Sequence, residues 1–333
     1  MKKLLILSPG FHGYWKAYES AFTRRGYNAR TVCYDTLATL SDKFHHKLTI
    51  ELPQKFGQDT REKQAREVSA KVAQHVRDVK PELVLVIRGD LLRDSFWEAV
   101  NDVGARPITL VYDEVARMTM SYEELMSHGP VASYSQHDTA EFTKRGARTV
   151  HVLDAYDATL PFTSTPSQNV VFIGARYGQR APLLETLHRS GVNVAAYGRE
   201  WSHHPFDLAR TWFSPRPSIP AFRDIPRDRA YGIQAGALAS LNVHENQDGF
   251  TMRTYEIPGV GGVQLIDRDD VSDLYDPGTE VLVFHSPEEL VELAQRLKKE
   301  PAWANSIREA GQKRTLAEHT FDHRIPVLES LWD

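Results

Sequence analysis

Cysteine is nearly missing from the chain. Cys33 is the single thiol among 333 residues, which excludes an intramolecular disulfide and a four-thiolate zinc site. It stands in Thr31-Val32-Cys33-Tyr34, a strand-like run where a thiol fills space rather than attacks a substrate. Long apolar runs are missing as well, and none is long enough to span a bilayer. Met1-Lys2-Lys3 is followed by only a short apolar stretch, Leu4-Leu5-Ile6-Leu7, too brief a core for a secretory signal, so the expected location is the cytoplasm. An excess of charge of one sign is also lacking. Lys+Arg number 40 against 44 Asp+Glu, a net charge of -4. The balance is near even on both sides of residue 160, so the basic footprint of a nucleic-acid binder is not there. No internal repeat and no low-complexity tract are evident.

What remains is an ordinary globular composition, 41% hydrophobic and 25% charged. A chain of this length suits two domains and can bury a core without staples. Strand-like and helix-like runs alternate throughout. The first half reads as strands over 4–7, 29–34, 83–87, 108–112, 131–134 and 149–153. Most are continuous β-branched or leucine-rich stretches, as expected of a sheet covered on both faces. Tyr14, Ala17, Tyr18, Ala21 and Phe22 follow helical spacing up to Gly26. Residues 61–79 and 137–146 also predict helices. Residues 159–168 hold two prolines and five hydroxyl residues and read as a linker. Beyond it the alternation restarts, with strands over 170–173, 193–197, 240–243, 263–266 and 281–284. Ser286-Pro287-Glu288-Glu289 opens a helix through a capping box, and Leu290, Leu293, Ala294 and Leu297 form its buried stripe. Helices over about 302–315 and 322–332 close the chain. The fold class is therefore α/β, two doubly wound parallel-sheet, Rossmann-like domains facing a cleft, with ligands beyond the carboxyl ends of the strands.

Four strand ends carry candidate chemistry. Ser8-Pro9-Gly10-Phe11-His12-Gly13 precedes a helix. Gly10 and Gly13 either let a backbone approach an anion or simply make a tight turn, and His12 could contact a sugar or phosphate. Tyr112-Asp113-Glu114 could bind a sugar hydroxyl, act as a base, or cap the next helix. In the second block, Gly174-Ala175-Arg176-Tyr177-Gly178-Gln179-Arg180 brings glycines and two arginines to a helix start. That suits a diphosphate, although solvated arginines are the alternative. The densest stretch runs from Ser240 to Asp267. Asp248 and Glu256, one in the polar loop and one two turns into a short helix, can both turn to one side. A carboxylate grips a diol by accepting two hydroxyl hydrogen bonds.

These motifs resemble the C-terminal domain of GT-B glycosyltransferases, most of all the group that includes the CgeB-type spore-maturation proteins. The resemblance rests on Leu241-Asn242, Thr251-Met252-Arg253-Thr254-Tyr255-Glu256, Gly261-Gly262, Pro277-Gly278-Thr279-Glu280, Ser286 to Leu290, Gly311-Gln312-Lys313-Arg314 and His319 to Arg324. Upstream, Ile173 to Tyr177, Arg180 and Tyr197-Gly198 also match. It covers roughly 169–325, whereas the first half is similar only in layout and in Tyr112-Asp113.

The resemblance implies a first domain over 1–158 on the acceptor side, a nucleotide-sugar-binding domain over 169–315, and a last segment, 316–333, crossing back to the first. It implies sugar transfer from a nucleotide-sugar, a UDP-sugar foremost, to a glycan or small-molecule acceptor. No nucleic-acid acceptor is supported by the charge balance, and no further cofactor is required. Glu256 would bind the ribose. Arg176 or Arg180 would hold the diphosphate. Gly174, Gly198, Thr251, Met252 and Arg253 would complete the donor site. Asp248 stands where retaining enzymes of this fold carry the first acid of a pair, and Glu245 is its alternative. That pair leans toward retention, whereas a base from the first domain, Asp113 or His12, would favour inversion. A non-catalytic nucleotide-sugar or glycan binder and a sugar-nucleotide epimerase are the competing readings.

No metal is assigned. Asp267-Arg268-Asp269 has the form of a metal motif of another glycosyltransferase fold, but here it follows a strand of the second block. His319 and His323 lack an acidic ligand placed as in His-Glu-x-x-His and read as positioning the last helix. Trp201, after Tyr197-Gly198-Arg199, is a candidate for lining the cleft.

Overall fold

The computed structural model describes residues 1–10, 13–35, 61–245 and 247–333. His12 and the pair His45-His46 lie outside the described residues. The chain divides into two compact units, residues 1–153 with 321–333, and residues 154–320.

The first unit is a six-stranded parallel sheet. Its strands are β1 (Lys3–Ser8), β2 (Asn28–Cys33), β3 (Leu83–Ile87), β4 (Arg106–Val111), β5 (Val131–Ser133) and β6 (Thr149–His151), ordered β2-β1-β3-β4-β5-β6. The inner strands β1, β3, β4 and β5 are mostly buried apolar runs, whereas the edge strands β2 and β6 are only partly buried. The helices are α1 (Tyr14–Arg24), α2 (Arg61–Val79), α3 (Asp94–Asp102), α4 (Tyr122–Met126) and α5 (Gln136–Lys144). Leu5 and Leu7 of β1 pack with Val84 and Val86 of β3 against Val72 and Val76 of α2 and Phe96 and Val100 of α3. Cys33 is half-buried, and burial pushes its thiol up to about 11, which suits the space-filling reading.

The second unit repeats the plan with β7 (Val170–Ile173), β8 (Val194–Tyr197), β9 (Ala221–Phe222), β10 (Ala239–Asn242), β11 (Gln264–Ile266) and β12 (Leu282–Val283), ordered β12-β11-β10-β7-β8-β9, all parallel. Its helices are α6 (Arg180–Arg189), α7 (Pro205–Arg210), α8 (Arg227–Gly236), α9 (Met252–Gly259), α10 (Pro287–Lys299) and α11 (Pro301–Glu318). β9 was not expected, since a two-residue edge strand has no periodicity to read. Ser286 accepts from the Glu289 N–H at 3.1 Å, but the Glu289 carboxylate returns to the N–H of His285, one residue earlier than a capping box requires.

The last helix, α12 (Phe321–Glu329), belongs to the first unit. Phe321 meets Tyr18 edge-on at 4.8 Å, and Arg24 and Arg25 of α1 pair with Asp322 and Glu329. Leu328 and Leu331 are buried, and the Trp332 indole donates to the Arg106 carbonyl at 3.0 Å.

Residues 159–168, expected as a linker, are instead part of the second unit. Thr165 N–H donates to Gly232 O and Ser167 N–H to Gly236 O, each at 2.8 Å. Gly232 and Gly236, one helical turn apart on α8, carry no Cβ, and one added at either would overlap this segment's backbone. The pattern of prolines and hydroxyls therefore marks an extended strip docked on a glycine groove. Among the described residues, no helix is long and apolar enough to cross a membrane.

Candidate functional site

In each sheet the chain reverses its direction of growth beside the strand it starts from, at β1/β3 and at β7/β10. Ligands of open α/β sheets bind beyond the carboxyl ends of the strands at such a point. The candidate residues distribute over both edges.

At the second edge, β7 runs into Gly174, whose φ of +146° suits glycine, and a side chain there would meet the Arg253 guanidinium. Arg253 donates from Nη1 to the Ile173 carbonyl at 2.8 Å, while its Nε is buried without a hydrogen-bond partner. Gly198 follows β8 and donates its N–H to Phe222 O at 3.1 Å. Arg176, half-buried, donates from Nε to the Glu200 carbonyl at 3.1 Å and from Nη2 to Ser214 Oγ at 3.3 Å.

Arg180 is a different kind of residue from Arg176. It is 1% exposed, and it donates to the carbonyls of Ala175 at 3.0 Å and Val243 at 2.8 Å and to Tyr177 Oη at 2.6 Å. Burial, with Arg253 nearby, lowers it to about 10. It ties the end of β7 to the end of β10, so the expectation of a solvent-facing diphosphate ligand gives way to a scaffold role. Trp201 is corrected in the same way. It is fully buried, and its indole donates to the Gly174 carbonyl at 2.8 Å instead of lining an opening.

Glu245, at φ +55°, lays its carboxylate across the amino end of α6. Gln179 N–H donates to Oε1 at 2.8 Å, and a side chain at Gly178 would overlap the carboxylate. A carboxylate is favoured there by the helix dipole, as a phosphate would be.

After β10 the chain forms the loop that carries Asp248. Its carboxylate is exposed, and the loop is held by Arg268, whose Nη1 donates to the carbonyls of Gln247 and Asp248 at 2.8 and 2.9 Å while its guanidinium lies over Phe250. Thr251 caps α9 by position only, with its Oγ1 buried and unpartnered, and Met252 is the first helical residue. Glu256, 5% exposed, accepts from Tyr231 Oη on α8 at 3.1 Å.

A buried polar network fastens α9 to the sheet. Asn242 donates to Thr254 Oγ1 at 3.1 Å and to Gln264 Oε1 at 3.0 Å, and Thr254 Oγ1 lies 3.0 Å from His244 Nε2. Asp267 accepts from the N–H of His244 at 2.9 Å. Burial, only partly offset by Asp267, lowers the His244 pKa. Burial would raise Asp267, but the His244 ring and the N–H groups of His244 and Glu245 outweigh it and hold the carboxyl below its usual range. Asp269 turns elsewhere, to His285 Nε2 at 2.7 Å, so the two acids of Asp267-Arg268-Asp269 serve separate networks. His319 is buried with Nε2 3.2 Å from Leu274 O, whereas His323 is exposed on the other unit. Tyr231, His244 and Arg268 were missed by sequence reasoning. Tyr231 lies on a helix weakened as a signal by Gly232 and Gly236, and His244 and Arg268 stand among residues read one at a time.

At the first edge, Gly10 N–H donates to Asp35 Oδ1 at 2.6 Å, and Gly13 caps α1 at φ +72°. Asp113 lies half-buried after β4, accepting from the Glu114 N–H at 3.1 Å. Burial, then the neighbouring Glu114 carboxylate, raises its pKa. Gly10, Gly13 and Asp113 are thus in one unit, and the remaining described candidates in the other.

Residues 179–330 match a family model described as glycosyl transferase-like. No curated protein matches the chain in sequence. Solved structures align over nearly its whole length. Anabaena HepE, crystallised with UDP and glucose, is 14% identical with a TM-score of 0.65, covering 100% of both chains. Sucrose-phosphate synthase from Thermosynechococcus elongatus is 11% identical with a TM-score of 0.67, covering 100% of this chain and 98% of its own. A Listeria monocytogenes putative UDP-N-acetylglucosamine 2-epimerase is 12% identical with a TM-score of 0.56, covering 95% and 94%. The fold is GT-B.

Proposed function

We propose that the protein is a glycosyltransferase that moves a sugar from a UDP-sugar to a glycan or small-molecule acceptor, with retention of anomeric configuration. The observation that carries this is Glu256, a buried carboxylate about one turn into α9, oriented by Tyr231 and one turn from Arg253. A carboxylate accepts from both ribose hydroxyls and has no donor to clash with them. HepE, of the same fold, binds UDP, which supports uridine as the base. The pattern from Thr251 to Glu256 supports a place near the CgeB-type group.

In the reaction the bond between the anomeric carbon and the diphosphate oxygen breaks, and the oxygen leaves with the electron pair. Arg176, Arg253 and the N–H groups at the start of α9 counter that charge, each held in advance by the scaffold. Asp248 and Glu256 form the acidic pair on the donor sugar and ribose, and Glu245 is the alternative to Asp248. Asp113, its pKa raised by burial, receives the acceptor hydroxyl. Gly10 and Gly13 follow β1 in the same unit.

The test is calorimetric titration of the wild type and Glu256→Gln with UDP and 2′-deoxy-UDP, alongside transfer from a radiolabelled donor. Glu256→Gln should fold normally and lose about 1–3 kcal/mol of UDP affinity, the scale for a lost buried partner. Equal binding of both nucleotides by the wild type sinks the assignment. Epimerisation is the second reading, favoured by the shared fold of the Listeria protein. A rearranged donor sugar formed without acceptor would establish it, and the anomer of the transferred sugar decides retention.

A further inference from the structure

We infer that Tyr231 is a positioning residue, which sets the plane of the Glu256 carboxylate and so decides selectivity for a ribose over a 2′-deoxyribose diphosphate. This rests on Glu256 as the ribose ligand. The terminal torsion of a glutamate is broad and two-fold, so burial alone leaves its carboxylate free to turn. Tyr231 removes that freedom. It is fully buried, and its hydroxyl donates to Glu256 Oε1 at 3.1 Å.

The phenol is itself boxed in. Tyr156 lies 5.4 Å from its ring, Phe162 meets it edge-on at 5.9 Å, and the Arg227 guanidinium, paired to Asp157, covers it at 5.9 Å. Gly232, beside it on α8, accepts the Thr165 N–H, so the helix cannot slide past the 154–168 strip. A carboxylate offers about four lone-pair sites. With one oxygen held by the phenol in a fixed direction, the plane of the carboxylate is set, and two neighbouring hydroxyls can be met together. The polarity is also set. The ionised carboxylate only accepts, so the phenol must donate. In Glu256→Gln the phenol would select the amide oxygen and turn the NH2 toward the ribose.

The experiment titrates the full chain and Tyr231→Phe with UDP and 2′-deoxy-UDP, and records melting of both proteins. The phenyl ring keeps its aromatic neighbours while the hydroxyl is lost. The wild type should prefer UDP by about tenfold or more, and the preference should shrink by about a factor of five in Tyr231→Phe, the scale of one typical net hydrogen bond. A purely structural tyrosine would shift melting and both affinities together, leaving the ratio unchanged, and that result overturns the inference alone. A wild type without preference overturns the ribose reading as well. Should Tyr231→Phe not fold, a crystal structure of the wild type with UDP decides. Tyr231 Oη on one Glu256 oxygen with ribose hydroxyls on the carboxylate supports the inference, and Tyr231 parted from Glu256 overturns it.

Discussion

The two sheet edges share a topology and differ in how their charges are spent. At the second edge three arginines donate to main-chain carbonyls, Arg180 to Ala175 and Val243, Arg253 to Ile173 and Arg176 to Glu200, while Arg268, further along the loop, is paired with Asp270. A carbonyl orients a guanidinium without cancelling its charge, so those bonds leave the arginines cationic. At the first edge the charges meet each other. Arg88 pairs with Asp90 at 2.9 Å, Arg117 with Glu114 at 2.9 Å, and Tyr134 Oη donates to Glu114 at 2.7 Å. Burial raises Tyr112 to about 12 beside Arg88, so its phenol keeps its proton. Charges paired within the edge and a protonated phenol suit an acceptor rich in hydroxyls, whereas uncancelled arginines suit a diphosphate.

The sharpest break comes from Arg180→Ala. Two buried carbonyls, of Ala175 and Val243, lose their donor, and at about 1–3 kcal/mol for each unsatisfied group the second unit should weaken by about 3 kcal/mol. Denaturant melting measures it. A variant that melts like the wild type but binds UDP poorly would make Arg180 a ligand after all.

Next comes the crossing of the two edges. Arg176→Ala should keep its stability and lose about 1.5–3 kcal/mol of UDP affinity, the scale of a charge-assisted contact. Asp113→Asn should leave UDP affinity unchanged and raise the acceptor KM by about tenfold, one partner hydrogen bond's worth. If the effects were exchanged, or if both variants weakened UDP alike, the division of labour between the edges would be wrong.

The smallest effect is on acid stability. Among the described residues, each unit has one histidine with a lowered pKa, half-buried His128, stacked on Trp97, and buried His244, and for both burial is the first cause. The unfolded chain protonates them near the ordinary value of 6.5 while the folded chain resists. The unfolded state therefore binds more protons below that value, and stability falls as pH drops. His285 has the opposite sign, its pKa raised by Asp269 and Glu289, so the stability it adds is present at low pH and lost as pH rises. It is fully exposed, and solvent screens it. Melting temperature should decline between about pH 7 and 5, and His128→Gln or His244→Gln should each flatten part of that decline. Unflattened curves for both would remove buried histidine as the cause.

Local pattern alone determined the alternation of apolar strands and amphipathic helices, and with it two parallel sheets, because strands covered on both faces must be apolar throughout. It also marked the stretch from Thr251 to Glu256 and the glycine–arginine turn after β7, since those residue types stand close together in the chain. What each residue does there depended on distant partners. Arg176 and Arg180 look alike four positions apart, yet Arg180 is buried because Val243, on another strand, offers a carbonyl where it turns inward. Trp201 faces the core because Gly174 presents its carbonyl there. Tyr231 reaches Glu256 from a helix whose glycines weaken its own sequence signal and are required by a strip of chain some seventy residues upstream. Sequence reports which groups are near along the chain, whereas hydrogen-bond partners and burial are settled by which strands become neighbours, and only the tertiary structure decides that.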